Sequence, residues 1–232
     1  MMLAISCLIG TIIIFYSSKK FYATYQKIWL SPLLTCPLII IMLLYVFKID
    51  YSQYNGGAEW LSTLLGPATV AFAVPMYKNY ALLKKNAVAI FTSLLVGSIV
   101  AIVSSFLFAL FAGLNKEMIN SLVPKSITTP IAMDISTMIG GEPTMTAVFV
   151  IVTGLTGSVV GPLVIHYMRF KQAAAKGLLL GMGAHGAGTS KAFEFGEKEG
   201  TFSSLAMIVA ALVSIILSET FFPLFTKFII SF

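Results

Sequence analysis

The stretch Leu180-Gly181-Met182-Gly183-Ala184-His185-Gly186-Ala187-Gly188-Thr189-Ser190-Lys191 decides how this chain is read. It sets four glycines, a histidine, two hydroxyls and a lysine inside an apolar segment of membrane-spanning length. Each glycine costs a helix about 1 kcal/mol relative to alanine, so the segment is expected to open. In lipid the freed peptide groups have no water to bond, and they need a protein-lined cavity or a ligand. Broken spans of this kind build solute sites near the middle of transporters.

Composition sets the class. Of 232 residues, 58% are hydrophobic and 10% charged, and the mean hydropathy is +0.93. That is the profile of an all-α polytopic membrane protein embedded in a lipid bilayer. The pI of 9.3 does not point to nucleic acid, because the basic residues form short clusters between apolar runs: Lys19, Lys20 and Lys27; Lys78, Lys84 and Lys85; Arg169, Lys171 and Lys176. Cys7 and Cys36 lie in or beside apolar runs without metal-ligand spacing. The first run lacks the charge order and cleavage site of a signal peptide, so it reads as a retained span.

Apolar runs fall at 2–16, 31–48, 58–80, 86–113, 117–139, 143–168, 173–193 and 201–230. A crossing helix needs about 20 residues. The third run carries Gly66-Pro67-Ala68-Thr69, where Gly-Pro breaks a helix. The fifth carries Pro124-Lys125-Ser126-Ile127-Thr128-Thr129-Pro130 between two prolines. With the clusters at 19–27, 78–85 and 169–176 placed in the cytoplasm, the N-terminus lies outside and 117–139 enters and returns as a re-entrant hairpin. Glu194, Glu197 and Glu199 then face outside, and Glu219 and Lys227 lie toward the cytoplasm. The expectation is about seven transmembrane helices, one hairpin and two discontinuous helices in a single domain, 1–232. Leu64-Leu65-Gly66 recurs as Leu179-Leu180-Gly181, which suggests inverted repeats over 31–113 and 143–230.

Each candidate residue has a functional and a plain reading. Lys125 within an apolar run, with the Ser126, Thr128 and Thr129 hydroxyls, suits a small organic anion; the plain reading is a lysine snorkelling at the surface. His185 suits a ligand or proton role, or a packed core position. Gly186, Gly188 and Thr189 belong to an opened backbone, or to close helix packing. Gly66, Pro67, Ala68 and Thr69 form a half-helix end facing solute, or a simple kink. Asp134 and Glu194 are candidates, with His185, for coupling; Glu194 and Glu197 also read as residues of an external mouth, Glu194 pairing with Lys191 at i,i+3. His166 reads as interfacial. No nucleophile–base pair, phosphate loop or metal cluster is visible, so the chain does not read as an enzyme and implies no cofactor.

The motifs Gly66-Pro67-Ala68-Thr69-Val70-Ala71 with Val74-Pro75-Met76-Tyr77-Lys78, Pro124-Lys125-Ser126-Ile127-Thr128-Thr129-Pro130-Ile131-Ala132-Met133 and His185-Gly186-Ala187-Gly188-Thr189 resemble the LrgB/CidB family. Gly140-Gly141 and the region of Thr153-Gly154 resemble its CidB-like branch. The chain departs from the family at Ala184, where a serine is frequent. The resemblance implies a multi-pass bacterial plasma-membrane protein of holin-like or antiholin-like type, tied to murein hydrolase activity and cell lysis. It also implies a small LrgA/CidA-type membrane partner, and kinship with glycolate/glycerate carriers and pyruvate uptake proteins. Two functions follow: a carrier of small monocarboxylates, or a holin-like lesion component. A homo-oligomer, a dimer, is expected.

Overall fold

The structure is a computed structural model that describes residues 2–25, 30–64, 67, 70, 71 and 73–230. All its regular elements among these residues are helices, and they divide into two compact units, Met1–Phe72 and Ala73–Phe232. The boundary falls inside the segment 31–113 expected to form one repeat.

The first unit holds α1 (Met2–Tyr25), α2 (Pro32–Phe47) and α3 (Tyr51–Thr63). Pro32 starts α2, and Lys48 ends it in the left-handed region at φ 52°. A Cβ at Gly57 would overlap the Ala4 carbonyl, so α1 and α3 meet backbone to backbone. The Thr11 and Tyr54 hydroxyls bond across that contact at 3.2 Å. Helix α3 begins at Tyr51, in the polar stretch between the apolar runs at 31–48 and 58–80.

The second unit holds α4 (Ala73–Lys78), α5 (Tyr80–Lys85), α6 (Ala87–Phe111), α7 (Lys116–Leu122), α8 (Thr129–Met138), α9 (Pro143–Tyr167), α10 (Ala173–Phe195), α11 (Glu197–Glu219) and α12 (Phe221–Ile230). Among the described residues four helices are long and apolar enough to cross a membrane: α1, α6, α9 and α11. Helices α6 and α11 run parallel. Ile90 and Leu94 pack on Phe202 and Ala206, while Phe106 lies edge-on to Phe222, 5.9 Å between centroids.

Helix α10 does not cross. His185 has φ 39° and ψ −121°, outside the helical region, and the chain turns back on itself there. A Cβ at Gly188 would overlap the Leu180 carbonyl, eight residues earlier. The Lys176 ammonium lies 5.8 Å from the Phe195 ring and 3.7 Å from a Glu199 carboxylate oxygen. A straight helix would separate residues 176 and 195 by about 28 Å. Residues 173–184 and 186–195 are therefore two limbs of a helical hairpin with His185 at its tip. The longer limb spans about 18 Å, short of the roughly 30 Å hydrocarbon layer.

Glycines make the fold-back possible. Gly177 and Gly181 bring the first limb onto the backbone of Glu199 and Ser203, and Gly188 brings the second limb onto the first. Gly154, Gly157 and Gly161 of α9 admit, in turn, His185, Ala184 and Leu180. These are small-residue contacts that let helix axes approach closely.

A second hairpin comes from the other end of the unit. Helix α7 starts at Asn115, whose side chain accepts from Met118 N at 2.9 Å, and turns 123–127 lead into α8. At its foot Asn120 donates to Ile139 O at 2.6 Å, and Glu142 N donates to Ser121 Oγ at 2.7 Å. Gly140, with φ 78°, makes the exit turn. Helices α7 and α8 have 7 and 10 residues, each too short to cross.

This arrangement corrects several sequence expectations. The run at 173–193 is a hairpin rather than one discontinuous crossing, so Glu194, Glu197 and Glu199 lie at the same end as Lys176, not opposite it. Leu110, Lys116, Glu219 and Lys227 line one cavity, so Glu219 and Lys227 lie at the end of the unit opposite Lys176, not at the same end. The inversion visible within the second unit relates 87–138, a long helix followed by a hairpin, to 143–195, which repeats that order from the opposite end.

Candidate functional site

The two hairpin tips meet in the middle of the second unit. Ser126 and Pro124 of the first tip and Met182 of the second line one small internal cavity with Ser98 of α6 and Ser214 of α11. A Cβ on Gly97, near the midpoint of α6, would run into the Met182 side chain. On the other side, His185 Nε2 lies 3.0 Å from Val150 O in α9. Val150 packs with Ile127, Ala132 and Ile135 of the first hairpin, which links the two tips through α9.

Lys125 is half-buried at the first tip, its Nζ 3.4 Å from Ser126 Oγ, and it lies within electrostatic range of His185. The ion pairs among the described residues are Lys176–Glu199 and Lys191–Glu194; neither involves Lys125. A cation without a carboxylate, beside a hydroxyl and a helix N-terminus, has the chemistry to receive an anion. Thr128 stands at the N-cap position of α8 and makes no side-chain cap bond, and Thr129 follows it in the first turn. Both are half-buried. The positive end of the α8 dipole thus points toward the tip that carries Lys125.

His185 is 7% exposed and occupies a backbone conformation that residues with a side chain avoid, at a cost of about 1–3 kcal/mol. Gly186 beside it has open space where a Cβ would point.

Not every expected residue joins this centre. Thr189 is fully buried, its hydroxyl 3.0 Å from Ser203 Oγ, which ties the second limb to α11. Gly188 serves limb-to-limb packing. Asp134 is exposed, on the face of α8 opposite Ala132, Ile135 and Ser136. Glu194 is exposed and pairs with Lys191 at the foot of its hairpin, as the i,i+3 spacing predicts. Pro67 is exposed, while Gly66, Ala68 and Thr69 lie outside the described residues. Sequence reasoning missed Ser98, Ser214 and Met182. The signal available was a serine near the midpoint of α6, which also carries Thr92, Ser93, Ser104 and Ser105, and the pair Ser214 and Ser218 one turn apart in α11.

The second unit is thus a helical membrane protein whose long helices surround two opposed hairpins. The sequence pattern of the LrgB-like family matches residues 11–224, and the chain belongs to that family. It is similar to the uncharacterized protein YwbG of Bacillus subtilis, 48% identical over 93% of this chain and 96% of that one. It is 36% identical to the holin-like protein CidB of Staphylococcus aureus strain Mu50, over 96% of this chain and 97% of that one. The uncharacterized protein YxaC of Bacillus subtilis is also 36% identical, over 91% and 92%. No solved structure matches the chain.

Proposed function

We propose that this protein is a carrier of small monocarboxylates, of the pyruvate or glycolate type, working by alternating access. The observation that supports this most is Lys125, a cation without a carboxylate partner among the described residues, set where the tips of two opposed hairpins meet. In this reading both hairpins are re-entrant and the tips lie near the bilayer midplane, where an unpaired lysine costs about 2.5–3.5 kcal/mol on insertion scales. A bound carboxylate removes that cost, and Ser126 and the α8 dipole share its charge. His185, bonded to Val150 O, holds the second tip and is the coupling candidate. Movement of either hairpin opens the centre to the end from which that hairpin enters.

The end rich in Lys84, Lys85, Arg169, Lys171 and Lys176 is assigned to the cytoplasm, and the end with Lys116, Glu219 and Lys227 to the outside of a bacterial plasma membrane. A homodimer and a small LrgA/CidA-type partner complete the proposal. A second reading, a holin-like component of a membrane lesion acting on cell lysis, is favoured by similarity to the holin-like protein CidB.

Uptake of radiolabelled pyruvate and glycolate into proteoliposomes separates the two. The carrier reading expects saturable uptake, lowered more than tenfold by Lys125→Ala and by His185→Ala in protein that still elutes as a folded species. Non-saturating passage of solutes regardless of size would overturn it in favour of the lesion.

A further inference from the structure

Among the described residues the Ser98 hydroxyl has no partner. The side chain sits at the midpoint of α6, 2% exposed, and among the described residues its Oγ is a buried polar atom without a hydrogen bond. Serines inside apolar helices usually return their hydroxyl to the carbonyl one turn back. Ser105, two turns on, does this, donating to Ala101 O at 2.6 Å. Ser98 instead lines the small cavity beneath the hairpin tips, with Ser126, Met182, Ala210, Ser214 and Ser218 around it. A buried hydroxyl without a partner is costly, and each such group in a folded protein needs an explanation.

The cavity's surroundings supply one. Ser126 Oγ, on its wall, is 3.4 Å from the Lys125 ammonium, so Ser98 shares a cavity with the neighbour of the unpaired cation. Ser214 and Ser218 stand one turn apart on the same face of α11, and both are buried. Ser218 also lines the large open cavity that holds Lys116, Glu219 and Lys227. Hydroxyls thus extend from that open end to the first hairpin tip. Lys125 beside the cavity disfavours a cation there, and hydroxyls donate well to an oxyanion.

The cavity, about 10 Å³, holds no more than about one water as it stands. We infer that when hairpin movement widens it, Ser98, with Ser214 beside it, binds the anionic solute directly, donating a hydrogen bond to an oxygen of the carboxylate that Lys125 and Ser126 attract. The inference rests on the carrier reading and deepens it: solute recognition extends beyond the two hairpins to α6 and α11. It separates Ser98 from a packing serine, because loss of an unsatisfied buried hydroxyl does not lower stability whereas loss of a ligand contact lowers affinity.

The test measures radiolabelled pyruvate uptake against concentration in proteoliposomes of the full chain, for wild type, Ser98→Ala and Ser214→Ala, beside thermal unfolding in detergent. Expected for Ser98→Ala is a KM raised about tenfold, a maximal rate within about twofold of wild type, and a melting temperature no lower. Ser214→Ala is expected to raise KM in the same direction. An unchanged KM for Ser98→Ala, with wild-type uptake saturable, overturns this inference and leaves the carrier intact. A lowered melting temperature shows the hydroxyl already satisfied, and also overturns it. Absence of saturable uptake by wild type overturns the carrier reading itself, a distinct result.

Discussion

Replacing Gly188 with alanine tests whether α10 reverses. In the structure the added methyl would overlap the Leu180 carbonyl and stand 2.8 Å from Ala184 Cβ. Both are on the opposing limb, and one is backbone, so neither can swing aside. Overpacking of this kind costs about 1–3 kcal/mol. Gly183, five residues earlier, has nothing within 4 Å of the same position, and alanine there gains up to about 1 kcal/mol of helix propensity. The two variants are expected to differ by about 2–4 kcal/mol, at roughly 2–4 °C of melting temperature per kcal/mol for a chain of this size. Thermal unfolding of both proteins in one detergent measures the gap. In a continuous helix, residues 180 and 188 would be about 12 Å apart and Gly188→Ala would stabilise as Gly183→Ala does. Equal or stabilising effects at both positions would refute the hairpin.

Other outcomes follow from single contacts. Thr189→Val strands the buried Ser203 hydroxyl and is expected to cost about 1–3 kcal/mol of stability, read as a lower melting temperature. The Glu142 carboxylate, at the N-terminus of α9, accepts from Met145 N at 2.6 Å and Thr144 N at 3.0 Å, and these bonds hold its pKa below the ordinary 4.5. A depressed folded-state pKa means the contribution is complete above 4.5 and lost as pH falls through the lowered value. Melting temperatures of wild type and Glu142→Ala should therefore differ most near neutral pH and converge in acid. A difference that stays constant down to strongly acidic pH would contradict that cap. His185→Gly should relieve the backbone strain at φ 39°, so that its melting temperature falls less than that of His185→Ala while uptake is lost in both.

Much of this was legible in the sequence because hydropathy reports burial in lipid and glycine reports loss of helical backbone. The runs at 86–113 and 143–168 became α6 and α9 almost at their expected bounds. The prolines around Lys125 marked a short-limbed hairpin, since Pro124 and Pro130 interrupt helix where the chain must turn. The break at 181–189 was also legible. Its angle was not, because one residue's φ and ψ decide between kink and reversal, and Gly186 or His185 could host either. The charges then misled: Glu194 to Glu199 alternate with the Arg169–Lys176 cluster along the chain, and alternation suggests opposite sides. Lys176 bonds to Glu199 only because the chain has folded back. Ser98 escaped notice since α6 also carries Thr92, Ser93, Ser104 and Ser105 and nothing in the sequence sets it apart from them; its significance lies in a cavity shared with segments 28 and 116 residues further on.

Side-specific labelling bears most directly on the opposed hairpins. Single cysteines placed at Lys171, Lys198, Lys116 and Met138, all exposed, in a chain with Cys7 and Cys36 replaced, would be treated with a membrane-impermeant thiol reagent in sealed vesicles of known orientation. Positions 171 and 198 should react from one face and 116 and 138 from the other. Reaction of 171 and 198 from opposite faces would make α10 a crossing helix, and the meeting of two tips around Lys125 could not stand.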